Sequence, residues 1–384
     1  MLAGVFKRHD EDNTMSIEQD DDGRGGVPFV SASADIFLNH LPLSVEEYTS
    51  TMSLPESLEL INTTDLQTIL HIQHTRFMCG SVALGIHFNH CAGDAHSYFQ
   101  LVRDWAQLYK NSQYHPVVCH QRSLLEPTLA ETAARKNSHP NFNNQKTHYI
   151  RQETLPSVST VDAVRSVVKI FRFSCDELNR MKLDATSQLP FDVAYVSTFD
   201  ALTAHLYRHI AIARRSSSSM AKLYISTDIR PRLRQPLVPS TYFGNAIVFS
   251  YLEMETTQLI SENRLGPLSS QVHQAIVSNT SDEIRTTLAW ITSQPDKSKI
   301  AATFDLDKAD FIITAWNKMN MYSDSDFEPG VHPCRIALPC TTSFKSAAIF
   351  FSTEKNDTSI DVVLGLAIED MERLESNSEF RKYQ

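Results

Sequence analysis

The pattern of hydrophobic and polar positions changes abruptly near residue 90. Residues 81–88 alternate over short range between apolar and polar or small side chains, which predicts a β-strand. Beyond them, large apolar side chains recur at helical spacing, at Tyr98, Leu101, Val102, Trp105, Leu108 and Tyr109. Residues 90–94 should therefore lie where a strand ends and a helix begins. A histidine at such a place can present a ring nitrogen to a cleft while its backbone stays fixed.

The same patterns predict further strands and helices along the chain. Strands are expected at residues 1–6, 27–30, 66–72, 77–88, 167–173, 223–227, 246–251, 311–316, 347–351 and 360–366. Helices are expected up to about residue 110, after the capping box that begins at Ser174, at 201–213, 268–276 and 282–291, from Glu369, and briefly near 45–48. Because strands and helices mix without strict alternation, the expected fold class is α/β or α+β with mixed sheets.

The length of the chain and one polar stretch indicate two domains. The 384 residues, 42% of them hydrophobic, suffice for a sizeable core and for more than one domain. Residues 111–160 are polar and contain four prolines, a composition typical of a connection between domains. We predict an N-terminal domain over residues 1–130, a crossover over 131–165 and a C-terminal domain over 166–384.

Composition excludes several classes of function. The formal net charge is −10 and no lysine- or arginine-rich run occurs, so nucleic acid is not an expected partner. No apolar run is long enough to span a bilayer, and six cysteines without paired spacing indicate free thiols in a reducing compartment. We expect a soluble, cytoplasmic protein without membrane partners.

The stretch His-Cys-Ala-Gly-Asp at residues 90–94 is the strongest candidate for chemistry, but its spacing alone leaves several interpretations open. Asp94 could be an ordinary N-cap of the following helix, and His90 a hydrogen-bonded histidine at a strand end. A metal site is also conceivable, since His87, Cys91 and His96 lie nearby in sequence. Against it, His87 and His90 should point to opposite faces of a strand, and the spacing differs from that of structural zinc sites.

Several stretches, in one order along the chain, together resemble the motifs of the plant and fungal BAHD acyltransferases. Members of this family move an acyl group from coenzyme A to an alcohol or amine. The matching segments are Leu2-Ala3-Gly4, residues 26–30 (GVPFV), 90–94 (HCAGD), 197–206 (STFDALTAHL), 228–232 (DIRPR), 242–245 (YFGN) and 314–316 (TAW). In combination they are far more specific than the histidine motif alone.

The resemblance implies an architecture and a mechanism. The architecture is the two-domain, chloramphenicol-acetyltransferase-like fold, with the active-site channel between the domains. His90 would act as general base, and Asp94 would orient the histidine turn by pairing with an arginine. Acyl-coenzyme A would be a co-substrate, the acceptor a small alcohol or amine, and no cofactor or metal would be held permanently. We also expect a monomer.

Further residues receive roles by the same resemblance. Thr314 and Trp316 would line the substrate pocket, where a hydroxyl or an indole N–H could face the oxyanion. Asp326 resembles a structural motif aspartate that pairs with an arginine, for which Arg230 is the candidate. Two structural positions complete the set, Gly244 and Asn245.

The chain departs from the family pattern in three places. Ala95 stands where the family has glycine, and residues 326–330 read Asp-Phe-Glu-Pro-Gly instead of Asp-Phe-Gly-Trp-Gly. The resemblance also begins at residue 2, so we expect that the chain is truncated and lacks the family's first elements.

Two other functions remain open on these grounds. One is a catalytically inactive or truncated paralogue that binds or regulates, which the altered loop favours. The other is a condensation-type domain that shares the His-x-x-x-Asp motif but takes acyl groups from carrier proteins.

Overall fold

A computed structural model describes residues 2–9, 14–18, 26–40, 68–142, 149–151, 166–215, 218–297, 300–302, 310–338, 346–354 and 357–383. The strands are β1 (Val5–His9), β2 (Thr14–Glu18), β3 (Phe29–Ala34), β4 (Leu70–Phe77), β5 (Val82–Phe88), β6 (Tyr149–Arg151), β7 (Ser166–Phe173), β8 (Met220–Asp228), β9 (Ile247–Glu255), β10 (Ile300–Ala302), β11 (Phe311–Ala315), β12 (Ala347–Ser352) and β13 (Ile360–Ala367). The α-helices are α1 (Ala95–Lys110), α2 (Leu129–Ser138), α3 (Cys175–Ser187), α4 (Thr198–Arg214), α5 (Thr256–Ser261), α6 (Leu265–Val277), α7 (Ser281–Thr292), α8 (Met321–Asp324) and α9 (Ile368–Glu375).

The largest sheet has six strands in the order β7-β13-β12-β11-β8-β9. Strand β11 pairs parallel with both β12 and β8, whereas the other three pairings in this sheet are antiparallel. A second sheet, β3-β4-β5, combines a parallel and an antiparallel pairing and leads into the histidine turn. The expectation of mixed sheets is therefore confirmed.

The six-stranded sheet is buried on both faces. Alternate side chains along its strands belong to two different hydrophobic clusters, one on each face. Along β11, Phe311 and Ile313 belong to the main hydrophobic cluster, together with helices α3, α4, α6 and α9. Residues of the opposite parity on the neighbouring strands, such as Ile349 and Val363, form a second cluster on the other face. Strands covered on both sides need nearly continuous apolar sequence, as β12 and β13 have.

Helix α1 covers the second face of this sheet. The Phe99 ring of α1 lies 5.9 Å from the Trp316 ring, measured between centroids, and both rings pack against the second cluster. The helix that follows the histidine motif is thereby fixed against the sheet formed by the later part of the chain.

Helix α4 is the buried centre of the main cluster. Its capping box is formed by Ser197 and Asp200, and twelve of its seventeen residues are buried. The stretch was predicted as a helix because it is apolar almost all round, and such a helix must be covered on every side.

Charged side chains attach helix α2, which the sequence patterns did not predict, to helix α7. Glu131 accepts from Arg285 Nε at 2.9 Å, and Asp282 accepts from Arg135 at 2.8 Å and lies 2.9 Å from His139 Nε2. The helix is short and strongly polar, so it has little hydrophobic periodicity to detect. The domain boundaries at residues 130 and 165 stay predictions.

Some expected elements differ from the structure. The strand predicted over residues 77–88 is two strands, because a tight turn at residues 78–81 closes the β4–β5 hairpin. In this turn Gly80 has a φ of +82°, and the Phe77 amide donates to the Ser81 carbonyl at 2.9 Å. Residues 2–4 form a turn before β1, and the short helix predicted near 45–48 lies outside the described residues. None of the helices in the described part of the chain combines the length and apolarity needed to cross a bilayer.

Candidate active site

His90 lies on a tight turn between β5 and α1. The turn is shaped by Asn89, whose side-chain oxygen accepts from the Cys91 amide at 3.0 Å and whose carbonyl accepts from the Ala92 amide at 2.9 Å. The His90 residue is exposed, and no described residue makes a hydrogen bond to its imidazole. A histidine without an intramolecular partner is available to a ligand.

Asp94 is both the N-cap of α1 and one half of a buried ion pair. As a cap, its carboxylate accepts from the Ser97 amide at 3.0 Å, so the ordinary N-cap interpretation is confirmed. The carboxylate also accepts two hydrogen bonds from the Arg230 guanidinium, at 2.8 and 3.0 Å, and one from the Ala246 amide at 2.9 Å. Asp94 and Arg230 are only 4% and 2% exposed. The predicted arginine partner of Asp94 is thus Arg230.

The electrostatics of this pair favour its charged form. Burial acts to raise the pKa of Asp94, but the hydrogen bonds and charge of Arg230, with the Ala246 and Ser97 amides, outweigh it and lower the pKa. Burial likewise acts to lower the pKa of Arg230, and its bonds to Asp94 and Asp228 raise it overall. The pair is therefore a permanently ionised link between the histidine turn and the segment that follows β8.

The prediction that Arg230 pairs with Asp326 is wrong. Asp326 accepts from Lys110 Nζ at 2.5 Å, and both side chains are largely buried. Lys110 ends the 16-residue helix α1, whereas Asp94 and Arg230 lie at its start. At 1.5 Å per residue the two ends are about 24 Å apart, which no single side chain spans.

The altered loop after Asp326 is held against α1 in spite of its changed sequence. The Phe327 ring packs edge-on against Trp105 at 5.0 Å and against Tyr109 at 5.9 Å. The following residues close a turn in which the Val331 amide donates to the Glu328 carbonyl at 3.0 Å and Gly330 has a φ of +77°. A type II turn requires a positive φ at its third residue, here Gly330, and commonly has proline at its second, here Pro329. Glu-Pro-Gly thus replaces the family's Gly-Trp-Gly with a sequence suited to a tight turn.

Gly244 and Asn245 connect the later half of the chain to the histidine turn. Asn245 Nδ2 donates to the His90 carbonyl at 2.7 Å and lies 3.4 Å from the Cys91 carbonyl. Gly244 has a φ of +149°, and a Cβ there would lie 3.0 Å from the Tyr242 hydroxyl, so glycine is required. The structure therefore brings these two predicted residues together with His90, Asp94 and Arg230.

Ser97 is a member of this site that the sequence patterns missed. It is fully buried in the first turn of α1, and its hydroxyl accepts from the Gly244 amide at 2.9 Å. A serine three residues after an aspartate N-cap is unremarkable in sequence. Only its partners, more than 130 residues away, reveal its position.

Thr314 and Trp316 lie at the end of β11 and just beyond it, on the face of the sheet that α1 covers. The Trp316 ring contacts Phe99 and Phe351, with centroids 5.9 and 5.2 Å away. A row of aromatic rings continues from Phe99 through Tyr98 to Phe88, which ends the strand before the histidine turn. Within the described ranges, neither the Thr314 hydroxyl nor the Trp316 indole N–H has a hydrogen bond. Both residues are half-buried, so Trp316 is in part a core residue.

The metal interpretation gains no support from the geometry. Asp94 is occupied by Arg230, and His96 Nε2 lies 2.7 Å from the Ser240 carbonyl. Over the part of the chain that the structure describes, no three histidine, cysteine, aspartate or glutamate side chains are grouped as metal ligands.

Comparisons with known proteins extend over nearly the whole chain. The profile of the family described as "Transferase family" matches residues 1–381. Shikimate O-hydroxycinnamoyltransferase of Nicotiana tabacum is 26% identical over 97% of this chain and 83% of its own. Hydroxycinnamoyltransferase 1 of Oryza sativa subsp. japonica is 28% identical over 97% of this chain and 81% of its own.

Solved structures show the same fold. TRI101 of F. sporotrichioides, crystallised with coenzyme A and T-2, has a TM-score of 0.78 at 20% identity and covers 100% of this chain and 86% of its own. Vinorine synthase has a TM-score of 0.64 at 17% identity, covering 100% of this chain and 81% of its own. The expected two-domain, chloramphenicol-acetyltransferase-like α/β fold is confirmed, and the chain belongs to the Transferase family, the BAHD acyltransferases.

Proposed function

We propose that the protein transfers an acyl group from acyl-coenzyme A to a hydroxyl or amine of a small-molecule acceptor, with His90 as general base. The observation that carries the proposal is that the His90 turn has a fixed backbone and an exposed imidazole. Its backbone is tied to the later half of the chain by Asn245, and its helix by the buried pair of Asp94 and Arg230. The imidazole itself is exposed and has no hydrogen bond from the described residues.

In the proposed reaction, His90 first accepts one proton and then returns it. As the acceptor oxygen attacks the thioester carbonyl, the neutral His90 imidazole takes its proton and a C–O bond forms. The tetrahedral intermediate collapses by breaking the C–S bond, and the departing sulfur of coenzyme A takes the proton from the imidazolium. The products are the ester and free coenzyme A. No covalent enzyme intermediate is needed, and Asp94, bound to Arg230, orients the turn without contacting the substrate.

Thr314 and Trp316 are the proposed donors to the oxyanion of that intermediate. Both belong to the face of the sheet on which α1 lies, and an aromatic row joins Trp316 to the strand before His90. An oxyanion donor is worth about 3–4 kcal/mol where one has been removed from other enzymes. Among the described residues neither the Thr314 hydroxyl nor the Trp316 N–H has a hydrogen-bond partner, so both groups can donate to the oxyanion.

The acyl donors to test first come from the relatives. The tobacco and rice relatives are both named hydroxycinnamoyltransferases, and a relative from Avena sativa is named as an N-hydroxycinnamoyltransferase. A hydroxycinnamoyl thioester and an alcohol or amine acceptor are therefore included beside acetyl and malonyl thioesters. We regard acyl-coenzyme A as a co-substrate with no permanently bound cofactor, and the protein as a cytoplasmic monomer.

The test is the release of free coenzyme A from acetyl-, malonyl- and p-coumaroyl-coenzyme A against a panel of alcohols and amines. We expect acceptor-dependent release that falls by about 10²- to 10⁴-fold in His90→Ala, the contribution typical of a general base. The matched control is His115→Ala, which removes another exposed histidine and should retain wild-type activity.

Other outcomes would point to the alternatives. A folded wild-type protein that releases no coenzyme A over the whole panel would favour an inactive paralogue. Release only from an acyl carrier protein would favour a condensation-type domain. Undiminished release by His90→Ala would remove His90 from the mechanism.

A further inference from the structure

The Ser97 hydroxyl is the point where the histidine motif and the segment after β8 meet. Ser97 is fully buried, with 0% of its surface exposed. Its oxygen accepts from the Gly244 amide at 2.9 Å and from Arg230 Nη2 at 3.3 Å. Two acceptors lie within reach of its O–H, Asp94 Oδ1 at 3.1 Å and the Gly244 carbonyl at 3.0 Å.

These contacts use the whole hydrogen-bonding capacity of a hydroxyl. A serine has one hydrogen to donate and two lone pairs that accept. Both lone pairs are occupied, and the single hydrogen is shared between a carboxylate and a carbonyl. Because Ser97 is buried and all these groups are paired, rotation of its side chain would leave a buried polar group without a partner, which favours the observed orientation.

The contacts of Ser97 lead directly to His90. Ser97 binds both the amide and the carbonyl of Gly244, and so holds that residue at both polar groups. The next residue, Asn245, donates to the His90 carbonyl at 2.7 Å. Gly244 has a φ of +149°, which glycine adopts without strain, and it directly precedes Asn245 in the chain. A shift of Gly244 would therefore be passed to the backbone that carries the His90 imidazole.

We propose that Ser97 is a positioning residue for His90, acting through Gly244 and Asn245. The inference rests on the proposed function of His90 and adds a residue to that site. Ser97 does not touch the reacting atoms. Its removal would displace a general base relative to the acceptor, and misplacement by about 1 Å costs on the order of 10²-fold in rate in other enzymes.

A positioning role has a kinetic signature that a purely structural one lacks. Loss of fold lowers the active fraction and leaves the rate per folded molecule unchanged. Displacement of the base lowers kcat of the folded enzyme and leaves KM for acyl-coenzyme A and acceptor near the wild-type values.

The experiment compares Ser97→Ala with a matched control, Ser269→Ala. Ser269 is also fully buried, and its hydroxyl donates to the Leu265 carbonyl at 2.8 Å within α6, away from the site. We expect kcat per folded molecule to fall about 10- to 100-fold in Ser97→Ala with KM within about twofold. Ser269→Ala should keep the wild-type kcat. If Ser97→Ala does not fold, Ser97→Cys, whose somewhat larger thiol is only a weak donor and acceptor, should show the same fall in kcat.

A double-mutant cycle with Asn245→Ala tests the route. If both residues act through the same displacement, the double variant should lose little more kcat than the worse single variant. Fully multiplied losses would show two independent effects and overturn the route through Asn245.

A second readout does not depend on activity. In ¹³C-histidine NMR spectra, with the His90 signal assigned by its absence in His90→Ala, Ser97→Ala and Asn245→Ala should shift that signal and Ser269→Ala should not. An unmoved signal, or an unchanged kcat in Ser97→Ala beside an inactive His90→Ala, would overturn the inference and leave the proposed function intact. An active His90→Ala would overturn the proposed function instead.

Discussion

At the scale of single residues, the Asp94 side chain has two roles, as a helix N-cap and as half of a buried ion pair. An aspartate N-cap is ordinarily exposed and contributes about 1 kcal/mol. Here the same carboxylate also accepts from Arg230 and the Ala246 amide in a buried position. Both charged groups are buried away from water, so each is stabilised by the other. Removing one of them leaves the other as an uncompensated buried charge.

We expect Asp94→Asn to lower the free energy of unfolding by about 3–5 kcal/mol, the cost of breaking a buried pair by removing one partner. Asparagine keeps the size and one acceptor oxygen, so the loss reports the charge together with the hydrogen bonds that Oδ2 accepts from Arg230 and the Ala246 amide. The measurement is urea-induced unfolding of Asp94→Asn beside Asp282→Asn. Asp282 is 64% exposed and pairs with Arg135, and its substitution should cost under about 1 kcal/mol. Equal losses in the two variants would contradict a special role for the buried pair.

At the scale of elements, the loop after α8 shows how a motif can change its sequence and keep its place. Its first two residues are anchored on α1, Asp326 by Lys110 and Phe327 by Trp105. The departing residues form a turn whose backbone needs a positive φ at Gly330. The conformation of the turn is supplied by its own residues, while its position is supplied by the helix.

Gly330→Ala should lower the free energy of unfolding by about 1–2 kcal/mol, because alanine is strained at a φ of +77°. Space is not the cause, since no atom lies within 4 Å of a Cβ placed there. The control is Gly26→Ala, at a glycine with equal space and no positive φ, which should change stability by under about 0.5 kcal/mol. Chemical denaturation of both variants gives the comparison, and a neutral Gly330→Ala would show that the turn adapts.

At the scale of the whole molecule, the last described residues return to the central helix α4. His205 Nε2 lies 2.9 Å from the Phe380 carbonyl, and His209 Nδ1 lies 3.2 Å from the side-chain nitrogen Nδ2 of Asn377. Burial, followed by the charges around them, lowers the pKa of His205 to about 4 and that of His209 to about 2. The charges that lower both values belong to Arg208 and Lys382, and the fold therefore holds both imidazoles neutral.

This arrangement predicts a loss of stability in mild acid. The pKa of each histidine is lower in the folded chain than in the unfolded one, so the unfolded chain binds more protons as the pH falls below about 6.5. Each buried neutral histidine then costs about 1.4 kcal/mol per pH unit. Between pH 7 and pH 5 the wild type should lose about 2 kcal/mol more than His209→Asn, which cannot take up that proton.

Urea unfolding at both pH values measures the difference. The variant at pH 7, where His205 and His209 are largely neutral in either state, gives mainly the cost of altered packing. Parallel pH dependence of wild type and variant would show that His209 is protonated in the fold.

Local signals identified most elements and the centre of the site. The capping box at Ser174, the apolar stretch of α4 and the alternation of β5 depend on neighbouring residues and were predictable. Element boundaries and turns were harder to predict. The hairpin turn at Gly80 interrupts a run that was predicted as one strand, and helix α2 is too polar to show hydrophobic periodicity. The motifs also located His90, Asp94 and Asn245, because their residue types recur in a recognisable order.

The pairings within the site depended on distances that sequence order does not contain. The motifs indicated an arginine partner for both Asp94 and Asp326, and they led to the wrong assignment of Arg230 to Asp326. Helix α1 keeps its two ends about 24 Å apart, so Arg230 reaches Asp94 and Lys110 reaches Asp326. Local structure follows from interactions between near neighbours, whereas the partners of Ser97 and Asp94 are chosen by packing between segments far apart in the chain, and therefore appear only in the folded molecule.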